Sequence, residues 1–199
     1  MRRSALLLSR SPGAARDTTT PGFIRVTALL CCVLGCALAL AAPRTFAAEL
    51  PEYKLKAAFV FNFVRFTTWP PERLPDDGSP IEVCAAAETE FVSALREAVG
   101  DKSIGTHPLR VREIDPADDP RGCHVVYVGN RGDASRILAN AAGRGVLTVH
   151  NGDSASRDGV VRFFLDDRRV RFEVNATAAT RESLVLSSKL LSLASLVSL

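Results

Sequence analysis

The strongest constraint on the fold is a pair of short apolar runs with a helical pattern between them. Cys123–Val128 and Val146–Val149 contain no Asp, Glu, Lys or Arg, as is typical of central strands that are covered on both faces. Between them, Asp133 is placed to cap a helix that runs to Ala142 and ends at Gly143. This alternation of buried strand and helix predicts a mainly parallel sheet with helices on both faces.

The segments before these runs continue the alternation. Ile81–Ala86 is a candidate strand, Glu88–Val99 an amphipathic helix, and Leu109–Ile114 a half-buried strand of alternating polarity. An opening helix starts at Glu52. It stops before Trp69, because Trp69 precedes a proline and such a residue avoids the helical region.

The C-terminal part predicts a hairpin and a helix. Val160–Leu165 and Arg169–Val174 alternate in polarity around a turn at Asp166–Arg168, and an apolar helix is expected from about Ala178 to Leu196. The hairpin adds an antiparallel pair. The predicted fold is therefore a single α/β domain with a mixed, mainly parallel sheet and helices on both faces.

Residues 1–47 are typical of a signal peptide, and residues 48–199 of the domain that it exports. A basic stretch ends at Arg25, the apolar run Val26–Ala42 follows, and small residues close the segment. This order predicts export to the periplasm. Two alternatives stay open: an uncleaved membrane anchor, because the run approaches the length of a membrane span, and a lipoprotein attached at Cys36.

The charge of the exported part argues against nucleic acid as a partner. The whole chain has 25 basic and 22 acidic residues, a net charge of +3. Residues 1–48 hold six of the basic residues and one acid, which leaves 19 basic and 21 acidic residues, a net of −2, in residues 49–199. Such a domain lacks the basic footprint of a nucleic-acid-binding protein.

The exported domain keeps two of the five cysteines. Cys31, Cys32 and Cys36 lie in the leader, so Cys84 and Cys123 remain. Two cysteines in an exported domain favour a disulfide. The alternative is a pair of reduced, buried cysteines.

No established catalytic pattern stands in the sequence. It contains no G-x-S-x-G elbow, H-E-x-x-H, P-loop or G-x-G-x-x-G motif. His107, His124 and His150 are far apart and have no supporting carboxylate cluster, so we expect structural or surface histidines and no metal or cofactor. Without a nucleophile–base pair, we do not expect an enzyme.

A first candidate site is the turn formed by Asn130, Arg131, Gly132 and Asp133. It follows a predicted buried strand and opens a helix, and the carboxyl ends of parallel strands are where α/β sheets bind small anions or nucleotides. The alternative is an ordinary strand-to-helix turn, since any such turn favours glycine and asparagine.

A second candidate is a protein-binding surface on the hairpin. Arg162 and Phe164 lie opposite the apolar stripe of the first strand, and Arg171 and Glu173 lie opposite the stripe of the second. An aromatic side chain among charges indicates either a partner surface or simple packing under a helix. Phe61 lies about 100° off the apolar stripe of the opening helix and is a weaker interface candidate.

Five strings of residues stand in a distinctive order and spacing. They are Tyr53–Phe63 leading to Phe66 and Trp69-Pro70, Gly122–Val128, Val146–Val149, Val170–Asn175 and Leu184–Ala194. Together they resemble the YfiR family of periplasmic proteins, over nearly all of residues 52–197. The chain departs from the family pattern before Val160, where Asp158-Gly159 replaces the usual two glycines.

The resemblance implies a periplasmic, dimeric repressor that binds the periplasmic portion of an inner-membrane diguanylate cyclase, or a related membrane sensor protein, and lowers cyclic di-GMP output. It also implies that Cys84 pairs with Cys123 and that redox state affects stability. The family's described member has a second, C-terminal cysteine pair, which is missing here because no cysteine follows Cys123. We therefore expect a non-catalytic regulator, with a periplasmic small-molecule-binding domain as the alternative.

Overall fold

A computed structural model describes residues 51–130, 134–152 and 159–198, with residues 196–198 described by their backbone alone. All of these belong to one compact unit, residues 49–199. Within the described ranges, no helix is both long and apolar enough to cross a membrane. The predicted signal peptide, residues 1–47, lies outside them.

The described helices and strands follow the predicted alternation through residue 175. The α-helices are α1 (Glu52–Arg65), α2 (Thr89–Val99), α3 (Ala134–Ala141), α4 (Ala176–Arg181) and α5 (Ser188–Leu193). The strands are β1 (Thr67–Thr68), β2 (Ile81–Ala86), β3 (Ser103–Ile104), β4 (His107–Glu113), β5 (Val125–Val128), β6 (Leu147–Asn151), β7 (Val161–Asp166), β8 (Arg169–Asn175), β9 (Val185–Leu186) and β10 (Leu196–Ser198).

The main sheet is mixed, with the strand order β10-β8-β7-β6-β5-β2-β4-β3. β2 runs parallel to both β4 and β5, β6 runs parallel to β5 and β7, and β10 runs parallel to β8. The pairs β7–β8 and β3–β4 are antiparallel hairpins. The expectation of a mainly parallel sheet therefore needs correction, because each half of the sheet contains an antiparallel pair.

Helices pack on both faces of this sheet. α1 and α2 cover one face, here called the aromatic face, and bury Val83, Tyr127 and Phe163 among other side chains. α3 packs on the opposite face, here called the disulfide face, where a second core includes Val126 and Ile137. Because successive side chains of a strand point to opposite faces, each buried strand feeds both cores.

The predicted helix from Ala178 to Leu196 is wrong. The chain there forms α4, β9, α5 and β10 in succession. Ser183 interrupts it with a φ of 55°, and the Ser187 hydroxyl accepts a hydrogen bond from the Leu190 amide, which starts a new helix. Serine side chains compete with helical backbone bonds in this way, and β-branched Val185 pairs as a strand instead.

The predicted disulfide is present and joins Cys84 of β2 to Cys123, two residues before β5. Cys84 and Cys123 have Cα atoms 5.8 Å apart, and both side chains are fully buried. Arg112, which is opposite Cys84 on β4, places its Nη2 atom 3.4 Å and 3.2 Å from the two sulfurs. The bridge therefore ties adjacent strands together on the disulfide face.

His124 fixes the segment after α1 to the start of β5. Its Nδ1 atom accepts a hydrogen bond from the Glu82 amide at 3.0 Å, and its Nε2 atom donates to the Arg73 carbonyl oxygen at 2.9 Å. Trp69 donates to the His124 carbonyl oxygen at 3.2 Å. Burial lowers the pKa of His124, which suits a neutral ring that both accepts and donates.

Removal of the disulfide should destabilise the domain. The bridged cysteines are 39 residues apart, and closing a loop of that length stabilises by about 4 kcal/mol in the chain-entropy model. We expect Cys84→Ala with Cys123→Ala to lose that amount in urea unfolding. Reduced wild-type protein is the control and should approach the variant; a loss below about 1 kcal/mol would contradict the prediction.

Acid should weaken the anchor at His124. In the folded domain the pKa of His124 lies below the ordinary value of 6.5, so the unfolded chain takes up a proton at higher pH than the folded domain does. The contribution of His124 to the free energy of unfolding therefore declines as pH falls below 6.5. We expect His124→Gln, which does not titrate, to be less stable than wild type at pH 7. The gap should shrink towards pH 5 in urea unfolding, whereas a constant gap would refute the role.

Candidate partner-binding surface and ligand crevice

The turn of the β7–β8 hairpin sets the register of the two strands. Asp166 pairs with Arg169 across a two-residue turn, and the turn residues Asp167 and Arg168 have φ values of 47° and 62°. Positive φ at both positions is typical of the tight turn whose twist matches that of a hairpin. The alternation of the two strands therefore continues without a slip into the sheet.

This register brings four of the predicted partner-binding residues onto one patch of the disulfide face. Arg162 is opposite Glu173, and Phe164 is opposite Arg171. We call these four residues the β7–β8 surface. They lie side by side as the alternation of the sequence predicts; their role in binding a partner stays a prediction.

An ion pair and an aromatic contact organise the β7–β8 surface. Arg162 donates from Nε to Glu173 at 2.5 Å, and its guanidinium lies 5.6 Å from the centre of the Phe164 ring. The hydrogen bond to Glu173 raises the pKa of Arg162. The Arg162 and Glu173 side chains are 30% and 25% exposed, and Arg171 is 45% exposed, so the patch remains accessible.

The opposite side of the same hairpin is held by an aromatic cluster. Phe163 and Phe172 face α1, where Phe63 lies 5.6 Å and 4.9 Å from their ring centres. Phe59 adds a contact of 5.5 Å to Phe172. Centroid separations in this range are typical of favourable aromatic pairs, so the β7–β8 surface rests on a rigid support.

Phe61 does not join this surface. It lies on α1, which covers the aromatic face, whereas Arg162 and its neighbours lie on the disulfide face. The Phe61 ring is half-buried against the core, and two cations, Arg65 and Lys102, lie over it. The structure therefore separates this candidate from the other four residues.

The candidate ligand turn lies at the carboxyl ends of β2 and β5, a position that we call the crevice because α/β sheets usually bind ligands there. The chain leaves β2 through α2 towards β4, and leaves β5 through α3 towards β6 on the other side. The carboxyl ends of adjacent strands whose connections diverge are the usual ligand position in α/β sheets. Asn130 lies there; Arg131, Gly132 and Asp133 lie outside the described residues.

A polar network surrounds Asn130. Its side-chain oxygen accepts from Asn151 at 2.9 Å, and Asn151 in turn accepts from Lys56 at 3.0 Å and from the Tyr127 hydroxyl at 3.1 Å. Burial raises the pKa of Tyr127 above its usual range, so the hydroxyl remains protonated and donates. These groups could orient a small polar molecule.

Sequence reasoning missed three members of this network: Lys56, Tyr127 and Asn151. A signal was present for Lys56, because a lysine falls within the apolar stripe of the opening helix. Tyr127 lies inside a buried strand, where its hydroxyl requires a partner. Nothing in the local sequence distinguishes Asn151 from an ordinary strand end.

Gly129 has a structural explanation. A Cβ atom at this position would lie 2.9 Å from both the Ala87 Cβ atom and a Glu88 carboxylate oxygen. The loops after β2 and β5 therefore approach so closely that only glycine fits. This glycine is required by the fold whether or not a ligand binds beside it.

The two other histidines each contact a backbone carbonyl oxygen. His107 pairs its Nδ1 atom with the Ser79 carbonyl oxygen at 2.9 Å, and His150, which is 1% exposed, pairs with the Asn151 carbonyl oxygen at 3.0 Å. In the part of the chain that the structure describes, no three His, Cys, Asp or Glu side chains are grouped to hold a metal ion.

The fold is shared with a solved bacterial structure. The crystal structure of a conserved domain protein from Vibrio cholerae O1 biovar El Tor strain N16961 matches with a TM-score of 0.50 at 11% sequence identity. The match covers 71% of this chain and 60% of that one, so this chain spans less than two thirds of its length. No curated protein matches the sequence.

A family model described as YfiR/HmsC-like matches residues 53–195. That range contains every string on which the sequence resemblance rests, together with both cysteines and the β7–β8 surface. The match extends over well more than half of the chain and confirms the resemblance. The chain belongs to the YfiR/HmsC-like family.

Proposed function

We propose that this chain is a non-catalytic periplasmic regulator that binds the periplasmic portion of an inner-membrane diguanylate cyclase and represses it. The observation that carries the proposal is the family membership, which extends over residues 53–195. In this account residues 1–47 direct export, and the domain acts by contact with its partner.

The β7–β8 surface supports a binding role. Protein interfaces are enriched in aromatic residues and arginine, and their hot spots are rigid side chains that lose water on binding. Phe164 and Arg162 fit this description, because the ring and the guanidinium already lie together and Glu173 holds the arginine in place. A preformed patch loses little conformational freedom when a partner docks.

A charge swap tests this surface while preserving its internal ion pair. Glu173→Lys alone should weaken cyclase binding and cost up to about 1 kcal/mol of stability, because the half-exposed pair with Arg162 is lost. Arg162→Glu with Glu173→Arg should restore stability in urea unfolding but not binding. The ion pair is kept, but the positive and negative charges that the partner meets have exchanged places between β7 and β8. Binding is measured with the purified periplasmic portion of the cyclase.

The sheet offers a matched control on the same face. Arg110 and Glu82 form a cross-strand pair at 3.9 Å between β4 and β2, and the arginine is 67% exposed. Arg110→Glu with Glu82→Arg should leave binding and cellular cyclic di-GMP unchanged. Equal effects of the two swaps, or full repression by the Arg162–Glu173 swap, would sink the assignment of the surface.

Small-molecule binding is the second candidate function. The polar network of Lys56, Tyr127, Asn151 and Asn130 favours it, because these groups meet at the crevice where α/β sheets bind ligands. On this account the domain senses a periplasmic metabolite, and Asn130 contacts it from the exposed end of the network.

Native mass spectrometry of protein isolated from cells distinguishes the two candidate functions. A sensor should retain a small molecule as a defined added mass, and Asn130→Ala should release it while keeping the thermal midpoint of ligand-free wild type. Arg110→Gln serves as the control and should keep the mass, because Arg110 is opposite Glu82 near the start of β2, at the other end of the strands from Asn130. Protein of the bare polypeptide mass from cells in which repression is active would rule out an obligatory ligand.

A further inference from the structure

A strip of alternating cations and aromatic rings crosses the surface near the end of α1. Lys102 lies 5.2 Å from the Phe61 ring centre, Arg65 lies 5.8 Å from Phe61 and 5.7 Å from Phe66, and Lys189 lies 5.4 Å from Phe66. We call these five residues the basic–aromatic strip. Its rings are half-buried and its three cations are exposed, so it presents positive charge on a firm support.

The cations of the strip differ from most others of the domain in what they contact. Lys54, Lys56 and Arg162, for example, each pair with a carboxylate. Among the described residues, no ion pair joins Arg65, Lys102 or Lys189 to a carboxylate within 4.0 Å; they contact rings, and Lys102 also donates to backbone carbonyl oxygens of α2. Their charge is therefore available to an anionic partner.

Two protruding aliphatic side chains flank the strip. Leu193 is 59% exposed and lies one helical turn after Lys189, on the same side of α5. Val185 is 66% exposed on β9, whose partner strand β1 directly follows Phe66. Val185 and Leu193 therefore add exposed apolar surface next to the cations and rings of the strip.

We propose that the basic–aromatic strip docks the domain on an anionic phospholipid surface. The cations would meet lipid phosphates, the rings would lie at headgroup level, and Val185 and Leu193 would enter the boundary of the acyl chains. Lys and Arg near an anionic bilayer gain affinity, and aromatic and aliphatic side chains add burial at the same depth.

The shape of the strip favours a membrane over an acidic protein segment. Hot spots for protein partners sit in packed pockets and need shape complementarity. Here the cations and rings follow one another in a line of contacts, and two aliphatic side chains are exposed near it. A fluid, diffusely charged surface adapts to such a line without a matching shape. Docking goes beyond the proposed regulation and is testable without any cyclase.

Vesicle co-sedimentation of residues 49–199 tests the proposal. The domain should sediment with vesicles of phosphatidylethanolamine and phosphatidylglycerol but not with phosphatidylcholine alone, and added salt should release it. Each cation is worth roughly fivefold in affinity near an anionic bilayer, so Arg65→Gln, Lys102→Gln and Lys189→Gln together should weaken binding about 100-fold. Val185→Ser with Leu193→Ser should weaken binding without changing its salt dependence.

Two controls keep the result decisive. Arg168→Gln, Arg169→Gln and Arg181→Gln change the net charge equally at other exposed sites and should leave sedimentation nearly unchanged. Because Lys102 also bonds the end of α2, Arg65→Gln with Lys189→Gln is the variant that spares those bonds and should still weaken binding about 25-fold. Equal losses in the control variant, no sedimentation of wild type, or capture by polyglutamate but not by vesicles would overturn the proposal.

Discussion

The packing of α1 against the β7–β8 hairpin is the interaction on which the arrangement of this domain depends. Phe59 and Phe63 of the helix hold Phe163 and Phe172 of the hairpin in one aromatic cluster. Because strand side chains alternate, fixing these rings on one face fixes the neighbouring charged and aromatic side chains on the other. The same core therefore determines both the stability of this half of the sheet and the geometry of the β7–β8 surface.

The other half of the sheet is held by covalent and polar links. The Cys84–Cys123 bridge joins β2 to the entry of β5, and His124 ties the segment after α1 to the same place. At the carboxyl ends of these strands, the Gly129 amide donates to the Ala86 carbonyl oxygen at 2.9 Å, and the loops after β2 and β5 lie so close that Gly129 has no room for a side chain. One sheet therefore positions both candidate sites, the polar network at the crevice and the charged and aromatic side chains of the hairpin.

Sequence reasoning predicted most features that depend on local residue patterns and missed contacts between residues that are distant in the sequence. Strands β2 and β4 to β8, the hairpin turn and the disulfide followed from polarity patterns, turn signals and two remaining cysteines, whereas the short strands β1, β3, β9 and β10 were not predicted. The C-terminal helix was wrong because Ser183 and Ser187 break an apolar run that hydrophobicity alone favours as helix. The Lys56–Asn151 contact spans 95 positions in sequence, so no local pattern could predict it.

Site-specific photocrosslinking in living cells tests most directly whether this domain regulates by contact through its hairpin. A photoreactive side chain placed at Phe164 should capture an inner-membrane diguanylate cyclase, because that ring contacts Arg162 and is opposite Arg171 in the β7–β8 surface. The same group at Arg110, which lies on the same face but on β4, should not capture the cyclase. Capture from Arg110 alone, or equal capture from both positions, would contradict the account.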